Sequence, residues 1–300
     1  MKIAVVDLGS NSVRSLVVAV DKGQLRFVDA TSTVTRLTEG IGEGPFSPRA
    51  EALERTVTVL SRLKDRLVGQ EISPEGQVFF ATESLRAAGT DEGLIAALEA
   101  ASGLPLQILS GDEEARLSAE GVRLGGLDAE AVFDLGGGSL EVVGTRVLSL
   151  PLGAVRMAGR FSEDRLALSR HVDDVLRQSG LARVSLLAGV GGTSSTLAMM
   201  LGRLPRVHYH PRLLHRRGIS RFQVQRMVFS LASMGGDERT GVVGLDPKRA
   251  DIIVAGLTVI ERLMTYFGVE SYRHSECDLL WAMAAAKARE LGRPATGVLF

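Results

Sequence analysis

The chain has 300 residues, 45% of them hydrophobic and 23% charged, which suits two globular domains better than one. Lysine plus arginine equals aspartate plus glutamate, 35 of each, so a globally basic surface is not indicated and no nucleic-acid partner is expected. The single Cys277 rules out an internal disulfide, is consistent with a reducing cytoplasm, and reads as a small buried hydrophobe.

The N-terminal run reaches Asp7 too soon for a signal-peptide core. Strand signals follow at Ile3–Asp7, Val13–Val20 and Gln24–Thr31, and a loop at Gly40-Ile-Gly-Glu-Gly-Pro45. Ser47 and Pro48 predict a helix start as N-cap and first position, with the helix running to about Leu67. Val78–Ala81 predicts a strand, Thr82 onward a helix, Leu106–Ser110 a strand and Asp112–Val122 a helix. Gly125-Gly126 reads as a hinge, giving domains 1–124 and 125–300, the second with a helical C-terminal part. In that second half, Ala131–Asp134, Leu140–Gly144 and Leu186–Val190 predict strands. Ser162–Ser179, a segment from Ser194, and most of the chain from Arg221 predict helices. The longest uncharged run, Val184 to Gly202, is broken by six consecutive Gly, Thr and Ser residues, so no membrane partner is expected.

Residues 4–12 read A-V-V-D-L-G-S-N-S and residues 131–139 read A-V-F-D-L-G-G-G-S, agreeing at six of nine positions. Each lies at a strand end and leads into another strand. Duplication is the reading: two halves of like topology, each presenting a turn to a shared cleft. Glycine lacks a Cβ, so backbone N–H groups can close around an oxyanion at Gly136, Gly137, Gly138 and Ser139. Ser10, Asn11 and Ser12 add side-chain donors at the matching turn. A third turn, Gly191-Gly192-Thr193, runs into an apolar helix whose N-terminus favours negative charge.

Asp7 and Asp134 share one place in the repeat. Each alone suits a turn-former; as a repeated pair beside glycine turns, a Mg²⁺ role gains the advantage. In Ser110-Gly-Asp-Glu-Glu-Ala-Arg116, Asp112 and Glu113 are ordinary helix-start acids, while Glu114 is left open. Arg86 sits early in the helix from Thr82, where it either pairs with phosphate or is solvated. His208, His210 and His215 lie in a basic loop without cysteine or carboxylate. The Ser/Thr cluster at 193–196 has no paired histidine, which argues against Ser-His-Asp chemistry.

Five motifs in order are similar to the exopolyphosphatase and guanosine pentaphosphate phosphatase (Ppx/GppA) family, over about residues 1–265. They are Asp7-Leu-Gly-Ser-Asn-Ser12, Ala81-Thr-Glu-Ser-Leu-Arg86, Ser110-Gly-Asp-Glu-Glu-Ala-Arg116, Asp134-Leu-Gly-Gly-Gly-Ser139 with Glu141, and Gly189-Val-Gly-Gly-Thr193. The resemblance implies an α/β fold of two ribonuclease-H-like domains, as in actin and sugar kinases, with an interdomain cleft. It implies Glu114 as the water-activating base. It puts Asp134 at Mg²⁺ (Mn²⁺ as substitute) with Glu141 nearby, and Arg86, Asn11 and the glycine turns on phosphate. The implied substrates are polyphosphate and guanosine pentaphosphate; a non-catalytic sensor of guanosine tetraphosphate or polyphosphate is the alternative, and a small-molecule kinase the next. A homodimer is one option for the assembly. Two departures stand out: Leu140 where the family has Thr, and Ser275-Glu-Cys-Asp-Leu-Leu-Trp-Ala282 where it has a Ser-acidic-Gly-x-Leu-Arg-Glu-Gly turn. The sequence stops at Phe300, short of the helical extension of the larger enzymes, so long-chain processivity is not expected.

Overall fold

In the computed structural model of the chain, residues 1–39, 48–82, 85, 92–162 and 164–300 are described. The strands β1 (Lys2–Leu8), β2 (Ser12–Asp21) and β3 (Gln24–Val34) lead to α1 (Ala50–Gly69), β4 (Gln77–Ala81), α2 (Glu92–Ser102), β5 (Leu106–Ile108) and α3 (Gly111–Leu124). Next are β6 (Ala131–Leu135), β7 (Leu140–Val143), β8 (Val147–Leu150), α4 (Ala154–Phe161), α5 (Arg165–Ser179), β9 (Leu187–Val190) and α6 (Gly192–Leu201). Then come β10 (Gly218–Ser220), α7 (Arg221–Ala232), α8 (Ile253–Phe267), β11 (Ser271–His274), α9 (Leu279–Glu290) and β12 (Gly297–Leu299). The expected loop at 40–45, the N-cap Ser47 and Arg86 lie outside the described residues. Pro48 is not the first helical position: Arg49, in extended conformation, is the N-cap and α1 starts at Ala50.

The chain divides into unit 1, Met1–Leu117 with Leu279–Phe300, and unit 2, Ser118–Asp278. The first sheet has the order β12-β3-β2-β1-β4-β5, the second β10-β11-β9-β6-β7-β8. Counted from the first strand of each unit, the first sheet contains the order 3-2-1-4-5 and the second 3-2-1-4-6-5, with the short β10 at the edge beyond β11. In both, strands 1, 2 and 3 are antiparallel, and the next two strands on the other side of strand 1, β4 and β5 in the first sheet and β9 and β11 in the second, run parallel to it. The duplication seen at 4–12 and 131–139 therefore extends to five strand positions of each sheet, while β12 and β10 add to opposite edges. The fold is α/β, with two ribonuclease-H-like halves.

β1 is apolar without alternation because both of its faces are covered. Ala4, Val6 and Leu8 join the cluster that includes Leu60, Leu63 and Leu67 of α1 and Leu94 and Leu98 of α2. Burial of each such leucine stabilises by roughly 1.5–3 kcal/mol. The opposite face of β1 is covered by α9. In unit 2, Ala131, Phe133 and Leu135 of β6 face the large core that includes α5, α7 and α8. Val132, on the other face, packs with Ala119 and Val122 of α3. Asp7 and Asp134 share those second faces with Val5 and Val132, two residues before each.

The expected division at 124/125 differs from this in two respects. Leu279–Phe300 returns to unit 1: α9 covers β1, and β12 pairs in parallel with β3. Gly125-Gly126 is a helix stop inside unit 2. Gly126 N–H donates to Arg123 O and Leu127 N–H to Val122 O, with Gly126 at φ 73°. Helices α7, α8 and α9 dominate after Arg221 as expected, but the short strands β11 and β12 interrupt them.

Candidate active site

The two repeated turns close alike. Gly9 N–H donates to Ser12 O at 3.0 Å, and Gly136 N–H to Ser139 O at 3.1 Å. The carbonyls of both turns are also consumed alike, by the segment that follows the third strand of each unit. In unit 1, Thr35 and Arg36 N–H donate to Asn11 O, and Thr38 N–H to Ser10 O. In unit 2, the first turn of α4 does this: Gly153 N–H donates to Gly138 O, Ala154 N–H to Gly136 O, and Val155 and Arg156 N–H to Gly137 O. Arg156 Nε adds a bond to Gly138 O at 2.8 Å. What each turn retains for a ligand is therefore donors, the requirement for an oxyanion site. Gly153 must be glycine for this approach, since a Cβ there would lie 2.2 Å from the Gly138 carbonyl carbon.

In unit 1, Ser10, Asn11 and Ser12 are buried, and the Asn11 Nδ2 amide has no acceptor among the described residues. A buried donor left in this state costs stability unless a ligand or water accepts from it. Asp7 is engaged differently. Arg14 lies directly across from it on β2 and donates both Nε and Nη2 to Asp7 Oδ2, at 2.8 and 2.6 Å. The protein thus supplies its own cation to Asp7.

In unit 2, Glu141 lies directly across from Asp134 on β7, and both are buried. Directly opposed residues of antiparallel strands project to one face. Ser118 donates to Asp134 Oδ2 at 2.6 Å, and Ser149 to Glu141 Oε1 at 2.7 Å. Two buried carboxylates on one face suit a hard divalent cation, which takes one or two carboxylates and keeps its waters. Asp134 and Glu141 fit Mg²⁺ as donors, whereas Asp7 shares its Oδ2 with Arg14. Among the described residues, no three of His, Cys, Asp and Glu form a metal-holding group.

The third turn adjoins this pair. Gly191, at φ 93°, is packed so closely that a Cβ would lie 2.7 Å from Asp134 Oδ1 and 2.6 Å from Leu135 O. Gly192 and Thr193 open α6. The Arg249 guanidinium lies over Gly192, where a Cβ would meet Nη1 at 2.4 Å. Gly136–Ser139, Asp134, Glu141 and the 191–193 turn are therefore one cluster, and two arginines that sequence reasoning missed lie against its turns, Arg156 at Gly138 and Arg249 at Gly192. Neither arginine carries a periodicity or repeat signal.

The start of α3 sorts its three acids. Glu113 closes a capping box, accepting from the N–H and hydroxyl of Ser110 at 2.8 and 2.7 Å while its own N–H donates to Ser110 Oγ. Those bonds hold its carboxyl below the ordinary value, and the side chain is exposed. Asp112 is exposed, whereas Glu114 is buried. Glu114 precedes Ser118 by four residues on α3, so both lie on one helix face.

The Ser/Thr cluster does have a paired histidine. Ser194 Oγ lies 2.8 Å from His274 Nδ1, and His274 Nε2 lies 2.7 Å from Glu276 Oε1. Ser194 and His274 are fully buried, so this is not a nucleophile open to a substrate. The expectation failed because 80 residues separate the pair. Two further histidines have local duties: His210 caps the helix at Pro211–Leu214, and His215 Nε2 donates to Gly125 O. Cys277 is buried, as expected, and its thiol is pushed up by burial.

The sequence model of the Ppx/GppA phosphatase family matches residues 16–279. Among solved structures, an exopolyphosphatase from Cytophaga hutchinsonii is 21% identical, with a TM-score of 0.82 over 99% of this chain and 100% of that one. The Aquifex aeolicus Ppx/GppA family member is 22% identical, with a TM-score of 0.77 over 97% of this chain and 98% of that one. The bifunctional 3-dehydroquinate synthase/phosphatase of Fusobacterium nucleatum is 25% identical across 92% of this chain and 45% of its own length. This chain therefore spans less than half of that relative. Among the described residues, no helix is long and apolar enough to cross a membrane. With both sheets, the repeated turns and the match across 16–279 in agreement, this chain belongs to the Ppx/GppA phosphatase family.

Proposed function

We propose that this chain is a phosphohydrolase that removes the terminal phosphate of inorganic polyphosphate, with guanosine pentaphosphate as a second substrate. The observation that carries the reading is the unit 2 cluster. Two backbone turns, each contacted by an arginine, adjoin a buried Asp134–Glu141 pair. The family and the exopolyphosphatase neighbour add to it.

On this reading the 136–139 and 191–193 turns bind phosphate oxygens through N–H groups, and Ser10, Asn11 and Ser12 bind them in unit 1. Arg86, which lies outside the described residues, is proposed to bind phosphate as well. Asp134 and Glu141 would hold Mg²⁺ or Mn²⁺, which when bound neutralises charge on the phosphates. Glu114 takes a proton from the attacking water as its oxygen bonds to the terminal phosphorus. The bridging P–O bond breaks and the shortened chain leaves with the electron pair. A positioned base of this kind contributes about 10²–10⁴-fold, and the remaining acceleration comes from positioning and charge stabilisation.

Phosphate release from tripolyphosphate, longer polyphosphate and guanosine pentaphosphate, measured with wild type and Glu114→Gln, tests the reading. Unchanged release in the variant overturns the role of Glu114. A binding-only sensor is favoured instead by the altered 275–282 segment; tight binding of guanosine tetraphosphate without turnover of any substrate would establish it.

A further inference from the structure

The buried polar groups around His274 are not used by the proposed chemistry, yet they converge on the first turn of α6. Ser194 is the third residue of that helix, directly after Gly192 and Thr193. Its hydroxyl meets His274 Nδ1 at 2.8 Å and the Tyr272 hydroxyl at 2.9 Å. Burial pushes the Tyr272 phenol well up, so it remains a neutral donor. His274 Nε2 meets Glu276 Oε1 at 2.7 Å, and Tyr209 donates to Glu276 Oε2 at 2.6 Å. Burial raises the Glu276 carboxyl, but bonds from His274, Tyr209 and Ser195 outweigh it and leave the carboxyl below its ordinary value. Glu276 is therefore an acceptor, His274 carries its proton on Nε2, and Nδ1 faces Ser194.

The segment that departs from the family pattern forms the far end of this chain of bonds. Ser275 N–H donates to Gly189 O on β9, and its hydroxyl bonds Cys277 O while Cys277 N–H returns to Ser275 Oγ. Glu276 N–H donates to His215 Nδ1. The segment is folded against β9 and α6 from behind.

We propose that His274 is a positioning residue for phosphate binding at the start of α6. Held by Glu276, its imidazole fixes Ser194 and so holds the Gly191–Thr193 amides at the geometry a phosphate requires. This deepens the proposed function and rests on its assignment of that turn to phosphate. A helix N-terminus binds anions only as well as its amides are aligned.

Asparagine and glutamine separate the two ends of the imidazole. The amide of His274→Asn reaches about as far as Nδ1 and can still bond Ser194; that of His274→Gln reaches about as far as Nε2 and bonds Glu276 instead. Tripolyphosphate binding to the full chain, measured by calorimetry with Mg²⁺, should weaken about tenfold in His274→Gln and in Ser194→Ala, about 1.4 kcal/mol. His274→Asn should weaken it less than threefold, although both histidine variants lose thermal stability. In turnover, the same order should appear in KM rather than in kcat. Equal weakening in His274→Asn and His274→Gln, or no weakening in Ser194→Ala, would overturn the proposal. A wild type that binds but does not release phosphate rejects the phosphatase reading and leaves this comparison intact. A wild type that does not bind tripolyphosphate rejects the proposal itself.

Discussion

Arg14 and Glu141 are counterparts in the duplicated fold: each lies directly across an antiparallel strand pair from the repeated aspartate of its unit. One half supplies a guanidinium to Asp7; the other sets a second carboxylate beside Asp134. The duplication has thus kept the backbone and reversed a charge.

Glu141→Gln should raise the Mg²⁺ concentration for half-maximal phosphate release at least tenfold, because one of two anionic donors becomes neutral. Arg14→Met should leave the Mg²⁺ midpoint within about twofold and destabilise unit 1, since charged hydrogen bonds contribute roughly 1.5–3 kcal/mol each. Mg²⁺ titrations and urea melts of both variants check this; identical Mg²⁺ profiles in wild type and Glu141→Gln would remove Glu141 from the metal.

Glu113→Gln should leave kcat within about twofold and cost roughly 1 kcal/mol or less, as expected of a capping residue. Its neighbour Glu114 is the buried one. A fall in kcat for Glu113→Gln comparable to that of Glu114→Gln would mean the two acids act together.

Gly153→Ala places a methyl group 2.2 Å from the Gly138 carbonyl carbon, and backbone on both sides must yield. The expected cost is about 1–3 kcal/mol in stability. The fall in kcat/KM should be larger, near a hundredfold, because the displaced backbone carries the 136–139 amides. Chemical denaturation beside steady-state kinetics separates the two effects.

The stability of unit 2 should fall in mild acid. Burial holds the His215 imidazole below its ordinary value, assisted by the charge of Arg216 and opposed by its bond to Gly125 O and by Glu276. The folded state therefore binds this proton less readily than the unfolded chain. The contribution of His215 is fully present above the unfolded value, about 6.5, and is lost as pH falls toward its lower folded value. His215→Gln should flatten the unfolding profile on the acid side of about pH 6.5; an unchanged slope would reject this origin.

The repeat made the two central strand–turn–strand units legible, because short identical runs at 4–12 and 131–139 reflect identical backbone demands. Glu114 could be chosen among three acids only by resemblance, since burial on a helix face is invisible in three adjacent acidic residues. Arg14 was passed over because its partner lies across a turn. Ser194 and His274 meet through β9 and β11, whose pairing no local pattern announces. The strands β10 and β12 have three residues each, too short to show a period of two.

The return of α9 and β12 to the first sheet affects the order in which the protein can be made. Unit 2 is one uninterrupted segment, Ser118–Asp278, inserted into unit 1. During synthesis the inserted unit has all of its residues while the surrounding one still lacks the cover for β1. Unit 1 must wait, with an apolar sheet face exposed to chaperones and to aggregation, until residues 279–300 have left the ribosome.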